Sequence, residues 1–599
     1  MENADKQYTF HAFLVAWGVF AQHLALPERL QQVSLHQKSY KYTPHTKVLE
    51  LLVATLAGLP HLQDISYDAH PLERDQAVAE AWGQPGWAHY TGVSRTLSAL
   101  TLDEVQDLID VLEEISQPFI DQECRLVHQQ GKRLCLDGDL TGLPVSNGSR
   151  TYPEARYGHM NGDIRLGYQA ALVSMVSPTY GRLWLTVAHH PGDTISCTQA
   201  EALALAAEQR LGRRPRRRTE KLRMRLQQMQ EAINNTQKRW EAQQRRLEKA
   251  KEQLQEAQET YELRLRQYED LAKRYRAEGR EETPYSALNK ARTGVQTAQK
   301  RIARRQRDVA QAQKRWEKTQ GHLEAQQEAW RQLQARLVRF EQDNATNTAP
   351  MAMEFRLDAG FGTYENVALL IEMGYEVYIK AYSHRVVTYL RNQVDEAASW
   401  TRVGANAEMI GWADYSLPGS PYPLDVSLVR YHTGKNLRYS VLLHFGEDTV
   451  TQDLSAWFHH YNGRQTIEAG IKEAKHVFHL HRIKVRSKPA IILQEYLVTF
   501  AANLIRWARH WLSRLPQVIG QTLDVQRLGV KHQVQIGTHI SAQVISGSEG
   551  TLLKFTEASV FAGKCLYLPA AKPRTPRPSV FALLKAFFVK WHLIAQPLR

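Results

Sequence analysis

Two apolar seams, each stepping by alternating threes and fours, run through residues 219–343 and confine that stretch to long paired helices. The first passes through Leu222, Leu226, Met229, Ile233, Trp240, Leu247 and Leu254, and the second through Val295, Ile302, Val309, Trp316, Leu323, Trp330, Leu337 and Phe340. Apolar spacing sustained over this many turns argues for coiled coil. Gly279-Arg-Glu-Glu-Thr-Pro284 interrupts it almost midway. The spacing predicts an antiparallel helical hairpin over 213–345, with arms of roughly 60 residues, or about 90 Å at the helical rise. Mixed charges on both arms read as a solvated surface. The run Arg213-Arg-Pro-Arg-Arg-Arg218 at the base is the better candidate for phosphate contact.

The rest of the chain must supply several cores. At 599 residues it is expected to hold roughly three to five domains. A hydrophobic content of 43% excludes wholesale disorder. The formal charge of +14 and a pI near 9.4 favour a polyanionic partner, of which nucleic acid is the commonest. Cys124, Cys135, Cys197 and Cys565 are scattered without paired spacings, so a reducing compartment is the simpler expectation. Glu2 and Asp5 precede any apolar run at the N-terminus, unlike a signal peptide. The apolar run Val580–Ala595 is interrupted by Lys585, Lys590 and His592 and is too short to span a bilayer. A protein of the cytoplasm, not of the membrane, is expected.

Residues 1–125 read as short helices, an arrangement found both in plain bundles and in helix-turn-helix DNA binders. Leu134–Thr141 reads as a strand with Cys135, Asp137, Asp139 and Thr141 on one face. Strands near 165–177 and 181–188 and a helix over Gln199–Leu211 follow. After the hairpin come the strand Met353–Leu357 ending at Asp358, a helix through Met373, and the strand Glu376–Ala381. Residues 385–452 lean towards β. A β-leaning tail covers roughly 532–570, and Pro569–Pro578 is a basic, proline-rich linker.

The stretch from Tyr461 to Lys475 carries the chemistry. On a continuous helix Tyr461, Arg464, Glu468 and Lys475 share one stripe, extended by Lys472 and His479. Ile467, Ile471, Ala474 and Phe478 form an apolar face suited to docking on a sheet. A plain Arg464–Glu468 ion pair on a solvated face explains the pattern about equally well. What shifts the balance is the order of elements: three strands, helix, strand, helix, strand, insertion, helix. An acid ends the first strand (Asp139), another ends the fourth (Asp358), and Glu468 sits on the last helix. Three hard oxygen donors suit Mg²⁺ or Mn²⁺ rather than zinc.

That order is similar to the RNase H-like core, and the chain resembles the DDE transposases of bacterial insertion sequences. The resemblance is to the cut-and-paste group marked by Tyr-x2-Arg-x3-Glu-x6-Lys, kept here as Tyr461, Arg464, Glu468 and Lys475. The first acid of that group lies in an Asp-x-Thr context, matched by Asp139-Leu-Thr141. The second precedes a helix, matched by Arg356-Leu-Asp358. The resemblance covers roughly 45–512 outside the coiled coil. It implies an α/β RNase H-like core with a β-rich insertion, an N-terminal helical domain and the coiled-coil hairpin as a further insertion. The implied domains are 1–125, binding DNA ends; core parts 126–212, 346–384 and 454–515; the hairpin 213–345; the β-rich insertion 385–453; and a tail over 516–599.

By the same resemblance Asp139, Asp358 and Glu468 would hold two Mg²⁺ or Mn²⁺ ions, and Tyr461, Arg464, Lys475 and Lys472 would contact DNA. The implied partners are the terminal inverted repeats of the element, target DNA and a second copy of the chain. The implied reaction is strand cleavage followed by strand transfer. Asp137 shares a face with Asp139, and only Thr141 favours Asp139 as the first ligand. The long hairpin is foreign to the family pattern. His190 and Asp193 are weaker site candidates, since Gly192 and Asp193 also make a stable turn. Trp184, Trp400 and Trp412 could stack on a base, but core roles suit them better. His476, His479 and His481 lie close in sequence without zinc-like spacing. A structure-specific nuclease and a non-catalytic DNA-bridging protein are the alternatives.

Overall fold

The computed structural model describes residues 5–38, 41–146, 151–160, 162–395, 398–434, 436–515 and 522–571. The linker from 572 onward and the apolar run 580–595 lie outside them. The described chain divides into two compact units, Pro215–Pro350 with Ile371–Gly374, and the remainder.

In the first unit the heptad seams close on each other. Thr219–Ala277 and Ala287–Thr346 are helices of 59 and 60 residues. A Schellman turn ends the first: Gly279 takes φ +62°, and the Arg280 N–H returns to the Tyr275 carbonyl at 3.0 Å. Ser286 caps the second by accepting from the Asn289 N–H at 3.2 Å. Ile233, Leu247, Ala257, Ala298, Leu323 and Leu333 are buried along the seam. Trp240 and Trp316 meet across it with ring centroids 6.2 Å apart. At the base, Arg217 is buried and donates to Asp343 at 2.8 Å and to the Met373 carbonyl at 3.0 Å. Arg218 donates to the Ile371 carbonyl at 3.0 Å. Two of the five guanidinium groups in the run 213–218 are thus anchored within the unit, while Arg216 is exposed. Glu372, fully buried, holds Arg225 at 2.8 Å and Arg336 at 3.0 Å.

The second unit is mixed α/β. Strand β1 (Asp5–Thr9) lies apart from the main sheet. The main sheet contains β2 (Leu134–Pro144), β3 (Arg156–Met160), β4 (Asp163–Ser177), β5 (Gly181–Pro191), β6 (Met353–Leu357), β7 (Glu376–Lys380), β8 (Thr401–Arg402), β9 (Ala407–Tyr415), β10 (Leu424–Thr433) and β11 (Asn436–Phe445). Its order is β3-β4-β2-β6-β7-β11-β10-β9-β8, with β5 also on β4. Strands β2, β6 and β7 run parallel, and every other pairing is antiparallel. Both faces of the parallel part are covered: every residue of β6 is buried, the charged Glu354 and Arg356 included. The strands expected at 134, 353 and 376 are present, but β2 runs on to Pro144, so Asp139 lies within the strand and not at its end. Strand β3 carries no apolar alternation, and four of its five residues are at least partly exposed.

Helix Lys488–Leu512 packs along β5, the free edge next to β4. Asn503 on that helix meets both main-chain groups of Trp184, accepting from its N–H and donating to its carbonyl, each at 2.9 Å. One amide thereby satisfies an edge that would otherwise be bare.

The N-terminal region is helical except for β1. Helix Leu102–Gln129 opens on a capping box, Thr101 with Glu104. Strand β1 pairs antiparallel with β12 (Ala542–Gly547), which continues into β13 (Gly550–Phe555) and β14 (Cys565–Pro569). The beginning of the described chain and its end therefore share one small sheet. Among the described residues no helix is long and apolar enough to cross a membrane.

Glu50, on helix Pro44–Leu56, is fully buried. Its Oε2 accepts from the Ala88 N–H at 3.0 Å, and Oε1 has no partner. Burial raises its pKa well above the carboxylate range. A raised folded-state pKa gives stability that is complete at low pH and is lost as the pH climbs towards the raised value. Glu50→Gln keeps an acceptor for Ala88 and removes the charge. It is expected to stabilise the protein at pH 8 by roughly 1–3 kcal/mol, with the difference vanishing near pH 4 in urea denaturation.

Candidate active site

Asp137 and Asp139 point the same way from β2 but meet different surroundings. Asp137 is fully buried, and both its oxygens are taken. Arg356 on β6 binds it in bidentate fashion, Nε to Oδ1 at 2.8 Å and Nη2 to Oδ2 at 2.9 Å. Arg182 on β5 adds Nη2 to Oδ2 at 2.9 Å, and donates to Ser174 and Thr466 as well. A carboxylate fully buried between two guanidinium groups, with three of its roughly four lone-pair sites taken, is a structural anchor and not an open metal ligand.

Two residues further on, Asp139 faces the other acids. Strands β2 and β6 are parallel neighbours with Asp137 opposite Arg356, so the same register carries Asp139 level with Asp358. Burial pushes the Asp139 carboxyl up to about 7, reinforced by the Asp358 and Glu468 charges and opposed by Arg464. Asp358 caps the turn Ala359–Phe361, accepting from the Gly360 N–H at 2.9 Å. Arg464 lies between the other two acids, 3.6 Å from Asp139 Oδ2 and 2.6 Å from Glu468 Oε1. Three carboxylates thus share one field with Arg464, and Lys475 and Lys380 stand at its edge beside Asp139 and Asp358. Among the described residues no three Asp, Glu, His or Cys side chains are close enough, as they stand, to hold a metal ion. Glu468 is held by Arg464 but is half-exposed and has solvent to turn into.

The helix carrying Glu468 differs from the continuous one expected. It breaks into Leu454–Asn462 and Gln465–His476. At the break Arg356 Nη1 donates at 2.8 Å to the His460 carbonyl, which in a continuous helix would accept the Arg464 N–H and here also accepts from the Gly463 N–H at 3.2 Å. Arg464 bonds to the Tyr461 carbonyl instead, at 3.0 Å, a tight 3₁₀ step. Gly463 is needed there, since a Cβ would come within 2.6 Å of Arg356 Nη1. Tyr461, Arg464, Glu468 and Lys475 still converge. The Tyr461 hydroxyl, buried, donates to the Leu357 carbonyl at 3.3 Å, one residue before Asp358. Lys475 is partly buried, which lowers its pKa, while Asp139 opposes that shift. Lys472 is exposed. His479 does not extend the stripe: the helix ends at His476, and His479 stands beyond it at φ +55°. Ile467, Ile471, Ala474 and Phe478 are buried, as their spacing predicts.

The weaker candidates separate. An open groove of about 580 Å³ starts beside Asp139 and Asp358, with Leu140, Thr141, Gly360 and Asp193 in its wall. Asp193 pairs with Arg156 at 2.9 Å. Burial, then His189, lowers the His190 pKa. Trp184 is core: a Cβ on Gly470 would lie 2.9 Å from its ring. Trp400 stacks under Arg430 at 4.1 Å, and Trp412 packs at 6.0 Å from Tyr415. The rings of His476 and His479 lie 6.0 and 6.2 Å from His481, without forming a metal site among the described residues. Sequence reasoning missed Arg182, Arg356 as an anchor, and Lys380, which ends β7 within the field of Arg464 and Asp358. The only signal for Lys380 was its position at a strand end beside the strand that delivers Asp358.

No protein-family model and no curated protein matches this chain in sequence. The physical case rests on the site itself. Asp137→Ala leaves two buried guanidinium groups unpaired and is expected to cost about 3–5 kcal/mol. Urea denaturation checks this, and a loss below about 1 kcal/mol, the scale of an exposed ion pair, would contradict the anchoring role.

Proposed function

We propose that this chain is a DNA transposase of the DDE type, built on an RNase H-like core, that cuts and joins DNA strands with the help of divalent metal. The observation that carries the reading is geometric: Asp139, Asp358 and Glu468, far apart in sequence, converge on Arg464, and the residues just after Asp139 and Asp358 line an open groove. Perturbed carboxylates in a cleft are typical of functional sites. The strand order β5-β4-β2-β6-β7, with β2, β6 and β7 parallel, supports the RNase H-like core.

The donor set fits Mg²⁺ or Mn²⁺, being all carboxylate oxygen. Asp139, Asp358 and Glu468 would hold the ions, which would polarise the phosphodiester and activate the attacking oxygen. Arg464, Lys475 and Lys472 bring cations to the site's edge, where phosphates of a DNA end would pass, and Tyr461 braces the Asp358 strand end. In this reading the partners are the ends of the chain's own element, target DNA and a second copy of the chain.

The test uses linear DNA carrying the ends that flank the gene, incubated with Mg²⁺ and followed on denaturing gels. Wild type is expected to nick at the ends and join strands. Glu468→Gln should lose both by at least about 100-fold while still binding DNA. Nicking without joining would favour a nuclease, and binding by both proteins without cutting in Mg²⁺ or Mn²⁺ would overturn the catalytic reading. Independently of turnover, Mn²⁺ should raise the Tm of wild type and not that of the Asp139→Asn, Asp358→Asn double variant.

A further inference from the structure

The positive charge of the chain is concentrated in the hairpin. Residues 213–346 hold 33 Lys and Arg against 19 Asp and Glu, a net +14, which is the excess of the entire chain. Within the two helices the charge is again concentrated. The Trp240–Trp316 contact and the bond from Arg264 to the Gly294 carbonyl set the register, bringing 238–257 level with 300–318. This middle band holds 14 Lys and Arg against six Asp and Glu. The part towards the base, 219–237 with 319–346, holds six of each, and the part towards the tip, 258–299, holds eight against seven. A requirement for solubility would not confine charge in this way.

All the cations of the band are exposed except the half-buried Arg305, and only Arg305 makes an ion pair among the described residues, with Asp308 at 3.2 Å. Their heptad positions are not random either. Arg239 and Arg246 on the first helix and Arg301 and Arg315 on the second fall at g together with Gln253 and Asp308, and the g positions of an antiparallel pair flank the same side of the seam. The opposite flank carries Gln244, Gln306 and Gln313 with one cation, Lys251. Coiled coils ordinarily use these flanking positions for pairs of opposite charge. Here arginines from both helices share one flank, which weakens the hairpin and calls for an anion from outside.

We propose that the middle of the hairpin is a docking face for the phosphate backbone of duplex DNA, read without regard to sequence. Twenty residues of helix span about 30 Å, and a duplex presents one negative charge per ~1.7 Å of axis. Fourteen cations less six acids leave a net +8 over that length, about one charge per 4 Å, close to the half of a duplex's charge that faces a protein lying along one side of it. A single strand or an acidic peptide offers about half of the duplex's charge or less. The inference is independent of the catalytic acids, and rests on the proposed function only in choosing DNA over double-stranded RNA.

The test measures fluorescence anisotropy of full-length protein on a random-sequence duplex of about 30 bp across a range of KCl concentrations. The band variant is Arg239→Gln, Arg246→Gln, Arg301→Gln, Arg315→Gln, and the control removes the same number of exposed cations nearer the tip (Arg266→Gln, Lys273→Gln, Arg274→Gln, Arg276→Gln). The band variant should bind at least about tenfold more weakly at physiological salt, with its log–log salt slope reduced by about 2–4, while the control changes less than about twofold. Circular dichroism should report unchanged helix content and an equal or higher Tm for the band variant. The binding is measured in EDTA, without divalent metal, which separates this result from the fate of the catalytic reading. Unchanged affinity and slope in the band variant would overturn the proposal. So would an equal loss in the tip control, preferential binding to double-stranded RNA, or competition by polyglutamate as effective as by duplex at equal charge.

Discussion

A buried carboxylate with a guanidinium group on either side organises this unit. Asp137 joins three strands at once: its own β2, the parallel β6 through Arg356, and β5 through Arg182. Two arginines and one acid leave the cluster net positive. Glu354 and the Ser174, Thr466 and His460 oxygens share the remaining donors and charge. Such a network is costly to bury and costlier to break. Its geometry reaches the candidate site by a short path. Arg356 also bonds the His460 carbonyl at the step around Gly463, beyond which Arg464 stands between Asp139 and Glu468. The anchor acid and the candidate catalytic acid are two residues apart on one strand, and one immobilises what the other needs held still.

Those two acids also mark where sequence reasoning stopped. The alternation in Leu134–Thr141 puts both on one face but is blind to which would meet arginine, because Arg182 and Arg356 are brought there by strand pairing across long stretches of chain. The same applies to the broken helix. Tyr461–Lys475 reads locally as one helix, and at the interruption a main-chain carbonyl is bonded by a side chain more than a hundred residues earlier. Signals that are local in origin survived well. The heptad seams and the Gly279–Pro284 breaker gave the hairpin and its turn, and the apolar run Met353–Leu357 is the strand expected. Strand β3 was invisible because its exposed residues carry no period, and the pairing of β1 with β12 joins segments more than 500 residues apart with nothing local to announce it.

The division of charge suggests a division of labour. Outside 213–346 the chain is neutral overall, with its cations near the acids held in ion pairs or partly buried. Chemistry on a phosphodiester needs few, well-placed charges whose surroundings tune them. Grip on a polyanion needs many exposed ones whose surroundings hardly matter. The two demands conflict within one cleft, since a surplus of arginine would hold the carboxylates against a metal. Placing the surplus on a coiled coil, whose helices need only their seam to stay folded, removes the conflict.

The central claim is that Asp139, Asp358 and Glu468 are metal ligands and not a set of ion pairs. Anomalous diffraction from crystals grown with Mn²⁺ tests it most directly. The claim requires Mn²⁺ density bounded by these three carboxylates, with Glu468 turned away from Arg464. Crystals soaked in Mn²⁺ that keep the Arg464–Glu468 pair at 2.6 Å and show no metal between Asp139 and Asp358 would contradict it.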